Sequence, residues 1–78
     1  MSRLRDLKDG QYYRKARKRL DSVGTGHVQD WAHTSLWATQ QALEGHQVTG
    51  DPAALDEARR GALGILAAID VLVDRSDK

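Results

Sequence analysis

Gly61-Ala62-Leu63-Gly64-Ile65-Leu66-Ala67-Ala68-Ile69 decides the fold of this chain. It carries no charge and is apolar on nearly every side, and its small residues would let another helix come close. Outward from it, Leu55, Ala58, Ala62, Ile65, Ile69 and Leu72 are spaced three, four, three, four and three residues apart. That spacing is a two-position heptad stripe on one helix face. Leu66 and Val73 widen the stripe, while Asp56, Arg59 and Arg60 offer ion pairs one turn apart. A helix apolar on most sides is expected to be central, with Ile65 in the middle of its buried face.

Moving toward the N-terminus, Gly45-His46-Gln47-Val48-Thr49-Gly50-Asp51-Pro52 reads as a break. Gly45 or Gly50 can end a helix, Asp51 is a natural N-cap, and Pro52 suits the first helical position. Before it, residues 27–45 read as a second helix. Val28, Ala32, Leu36, Thr39 and Leu43 share one face, with Trp31, Ser35, Ala38 and Ala42 beside it. The opposite face carries His33, Gln40, Gln41, Glu44 and, out of pattern, Trp37. The short connection predicts that helices over about 27–45 and 52–74 pack as an antiparallel hairpin, a unit spanning 27–75. Ser22-Val23-Gly24-Thr25-Gly26 separates it from residues 1–22, with Gly24 suited to a left-handed helix end and Thr25 to a cap. In that first segment Leu4 and Leu7 start a stripe that Tyr13, Ala16, Leu20 and Val23 continue after a slip near Gly10. The expectation is an all-α fold: a basic first helix, broken near Gly10, packed on or projecting from the hairpin.

A chain of 78 residues holds one small domain with a thin core. It has no cysteine, which removes disulfides, thiolate zinc sites and cysteine nucleophiles. No apolar run approaches the roughly 20 residues of a membrane span. The opening Met-Ser-Arg-Leu-Arg-Asp lacks the apolar core of a secretory signal, so a cytoplasmic setting and no membrane contact are expected. The net charge of +1 conceals a division. Residues 1–20 hold eight bases against two acids, and residues 21–78 hold four bases against nine acids. Such asymmetry points to a polyanion partner or to attraction between the two parts.

The strongest functional signal is Tyr12-Tyr13-Arg14-Lys15-Ala16-Arg17-Lys18-Arg19. Its cations could neutralise phosphates and its tyrosines could stack on bases. The same residues could instead dock on acids, and Asp70 and Asp74 stand near the end of the third helix. There they oppose the helix dipole and repel one another. The sequence pI of about 8.2 is low for a dedicated nucleic-acid-binding domain. Trp37, with His33 and Gln41, is the candidate protein interface, unless the basic helix covers its ring. Leu63, Leu66 and Val73 add more apolar surface than one hairpin partner can cover, so a homo-oligomer is expected, with a dimer favoured.

His27, His33 and His46 lack metal-ligand spacing. Ser35 has no nucleophile-elbow context, Asp56 and Glu57 suit a helix start, and Gly24-Thr25-Gly26 has no phosphate-loop lysine. No catalytic residue, metal or cofactor is therefore expected, and the chain reads as non-enzymatic.

The run Thr49-Gly50-Asp51-Pro52-Ala53-Ala54-Leu55-Asp56-Glu57-Ala58-Arg59, after a Trp-bearing helix, resembles short helical-hairpin proteins of actinobacteria and their phages. The likeness covers about residues 28–75. It implies a cytoplasmic or virion accessory protein of unassigned chemistry. Two functions stand as expectations: an assembly or adaptor protein that self-associates and docks on another protein, and a nucleic-acid-binding accessory factor acting through residues 12–19.

Overall fold

The computed structural model describes the backbone of residues 3–77 and the side chains of residues 9–77. The side chains of Leu4 and Leu7 lie outside that range. Three helices follow one another: α1 (Arg3–Asp21), α2 (Thr25–Thr49) and α3 (Pro52–Ser76), so the fold is all-α. α1 runs unbroken through Gly10, because a single glycine weakens a helix without ending it. Likewise α2 continues through Gly45 and stops at Gly50, whose φ of 68° lies in the left-handed region and whose N–H donates to His46 O at 2.7 Å.

Asp51 caps α3 by accepting a hydrogen bond from the Ala53 N–H at 3.0 Å, with Pro52 next in the chain. The start of α2 departs from expectation. Gly24, not Thr25, is its N-cap; the backbone of Gly24 is extended, and no side chain caps the helix. Thr25 instead accepts a bond from Arg75 at 3.0 Å. Arg75 also donates to Leu20 O and Val23 O, at 3.1 and 2.6 Å. One guanidinium thus binds two carbonyls around the end of α1, that of Leu20 also accepting from the Val23 N–H at 3.3 Å.

α3 is the central helix, packed against both α2 and α1, while contact between α1 and α2 is slight. α2 runs antiparallel to α3: Trp31 meets Gly64, and Thr39 meets Gly61. α1 runs parallel to α3, with Tyr13 bonded to Asp70 and Arg17 to Asp74. The first helix is therefore docked, not projecting. The core lies where the three helices meet, built from Ala16, Leu20, Val28, Ala67, Ala68 and Val71.

The buried face of α3 is not the one its large residues mark. Of the expected stripe only Ala58 is buried; Ile65 and Leu72 are half-buried, and Leu55, Ala62 and Ile69 are exposed. Gly64, Ala67, Ala68 and Val71 face the neighbours instead. The reason is distance. A Cβ added at Gly61 would overlap Thr39 Oγ1, and one added at Gly64 would stand 3.1 Å from Ser35 Oγ. α2 has settled into the small-residue face, where close contact gathers more dispersion energy than larger side chains would allow.

The result is a thin layer of three helices, with Cα extents of 43 × 27 × 17 Å. Its radius of gyration is 13.5 Å, against about 11.5 Å for a compact domain of this length.

Candidate functional site: a basic groove and an apolar face

The two tyrosines and five cations of the run over residues 12–19 do not act together. Tyr13 donates to Asp70, and Arg17 donates to Asp74 and, at 3.5 Å, to Tyr13 Oη. These contacts hold the Arg17 guanidinium above its ordinary pKa, the bond to Tyr13 first and that to Asp74 next. Acids that opposed the dipole of α3 are thereby met from within the same chain. Farther along α1, Asp9 pairs with Arg59 of α3.

Tyr12, Lys15, Lys18 and Arg19 point elsewhere. With Ala16, Ser22 and Trp31 they line an open cavity of about 670 Å³ between α1 and α2. A second cavity of about 370 Å³ shares Tyr12 and Trp31 and extends past Thr34, Ser35 and Ala38 to Glu57, Arg60 and Gly61. The two form one groove, because α1 and α2 both lean on α3 and scarcely touch each other. Trp31 is fixed there by its Nε1–H bond to Gly64 O at 3.2 Å. Arg14 is exposed and borders neither cavity.

Trp31 and Arg60 are the groove residues that sequence reasoning missed. Trp31, which the sequence places beside the apolar face of α2, is half-buried, packing on the core while lining both cavities. Arg60 was expected only as an ion-pairing residue. The available signal was the side of each helix on which the residue falls, which becomes informative only once α1 is known to run parallel to α3.

A different surface lies across α3. Leu55, Ala62, Leu66, Ile69 and Val73 recur at seven, four, three and four residues and form one exposed stripe. Glu57 and Arg60, which border the groove, project from the opposite side of α3. Leu43 of α2 shares a cavity with Leu55 and Ala62, and Leu36 lies two turns before it on the same face. The six large residues of this face, Leu36, Leu43, Leu55, Leu66, Ile69 and Val73, are 41–51% exposed.

Of the expected protein-interface residues, Leu66 and Val73 lie in this stripe. Leu63 is half-buried and falls two turns before Asp70, on the flank facing α1. Trp37 is 63% exposed and uncovered by the basic helix, with His33 and Gln41 exposed as well. They stand on the outer side of α2, away from α3.

Among the described residues no group of three or more His, Asp or Glu side chains could hold a metal, and no helix is long and apolar enough to cross a membrane. No family model, curated protein or solved structure matches the chain.

Proposed function

We propose that this chain is a small non-enzymatic assembly protein that pairs with a second copy of itself through the apolar face of α2 and α3. The observation that carries the reading is the row of half-exposed large side chains, Leu36, Leu43, Leu55, Leu66, Ile69 and Val73, on one side of a thin layer. Soluble monomers rarely leave so continuous an apolar surface in water.

Composition favours self-pairing. The α2 edge of the face carries the neutral amides Gln40 and Gln47, and its Leu43–Leu55–Ala62 end is bordered by Asp56 and Arg59, opposite charges that a two-fold axis can set against one another. Trp37 stays outside such an interface, available as the anchor for the further protein that an adaptor docks.

Sedimentation equilibrium at micromolar concentration tests the reading. The wild-type chain is expected at twice 8.7 kDa. Leu66→Glu should give a monomer with unchanged far-UV circular dichroism, because Leu66 is exposed within one subunit. A wild-type monomer at these concentrations would defeat the proposal, as would a Leu66→Glu dimer as tight as wild type.

A further inference from the structure

The groove between α1 and α2 has a composition that self-association does not explain. Lys15, Lys18 and Arg19 stand on one wall and Arg60 at the far end, with Glu57 as the one acid among the lining residues. Tyr12 and Trp31 lie in the middle and border both cavities. An acidic protein surface would be served by the cations alone. Aromatic rings set between cations offer two things together: faces for planar groups and charges for a line of phosphates.

We propose that this groove binds single-stranded nucleic acid, with one or two bases stacking on Tyr12 and Trp31 and the backbone following Lys15, Lys18, Arg19 and Arg60. The shape selects the single strand. The groove is a concavity between two helices, and its rings, Tyr12 and Trp31, border both of the cavities that make it up. Bases can reach the rings only when they are already unpaired and splayed. Tyr13 and Arg17 take no part, being engaged with Asp70 and Asp74.

Tryptophan fluorescence supplies the test. Trp37→Phe removes the exposed reporter outside the groove and leaves Trp31 as the only tryptophan. Titration of this variant with a 15-nucleotide oligothymidylate at low salt should quench Trp31 to saturation. Four phosphate contacts would make log K fall with log salt at a slope of about −3. In this background Lys15→Glu should weaken binding by about tenfold or more. Arg14→Glu, the same charge change one residue away but outside the groove, should weaken it by less than about threefold. Tyr12→Ala, which spares the anchored Trp31, should cost about tenfold with the helical spectrum retained.

Absence of quenching at low salt would overturn the proposal. So would equal losses in Lys15→Glu and Arg14→Glu, which would mean diffuse attraction to the whole helix. Polyglutamate bound as tightly as the oligonucleotide would assign the groove to an acidic protein. A duplex of the same length bound more tightly than the single strand would remove the stacking role.

Discussion

Gly45 and Gly61 both sit inside long helices, yet their surroundings assign them opposite roles. Nothing lies within 4 Å of a Cβ placed at Gly45, so Gly45→Ala should raise stability by about 0.5–1 kcal/mol through helix propensity alone. At Gly61 the added carbon would meet Thr39 Oγ1 and, at 3.2 Å, the Ser35 carbonyl. Thr39 cannot simply turn aside, because its hydroxyl is bonded to Ser35 O at 2.7 Å and its Cβ is also 3.2 Å away. Gly61→Ala should therefore cost about 1–3 kcal/mol in urea denaturation. Adding Thr39→Ala should recover part of that loss, so the pair will be non-additive. These residues also show what the sequence conceals. Leu55, Ile65 and Ile69 spell a heptad that is plain to read, and a stripe of glycines and alanines nearby carries little hydrophobic signal. Small residues decide the packing through how near they let a backbone come, a property that appears only when the second helix is present.

At the scale of elements, the parts announced by local chemistry were legible: the Asp51 cap with Pro52, the three-helix order and the antiparallel hairpin. Docking of α1 was legible as a charge imbalance and as the ill-placed acids Asp70 and Asp74, which a basic helix could meet, but not which of its residues would do so. Geometry divides the run: Tyr13 and Arg17 turn to α3, while Lys15, Lys18 and Arg19 turn to the groove. Arg75 gave no signal at all, since nothing in a lone arginine near a helix end says that it will bridge three elements. Its guanidinium ties Leu20 and Val23 carbonyls and the Thr25 hydroxyl to α3. Arg75→Ala should lower unfolding free energy by about 1.5–3 kcal/mol, the range for hydrogen bonds to a charged group. Arg75→Lys should restore less than half, because an ammonium lacks the planar fork that reaches several acceptors. Thermal melts of both variants check this, and equal stability of the Lys variant and wild type would show that charge alone suffices.

At the scale of the whole molecule, a thin layer with unlike sides accommodates the proposed division of labour, one side for the second copy and one for a strand. A dimer of this kind should melt at a temperature that rises with protein concentration. Leu66→Glu should abolish that dependence, and a concentration-independent wild-type melt would contradict dimer formation. The parallel docking of α1 on α3 has another consequence, in the order of synthesis. Tyr13 leaves the ribosome 57 residues ahead of Asp70, its partner. At about 5–20 residues per second that interval is roughly 3–11 s. During it α1 has almost nothing to rest on, since its contact with α2 is slight and α3 does not yet exist. The nascent chain thus presents its most cationic segment, undocked, beside a surface rich in RNA phosphate until the helix that tethers it has emerged.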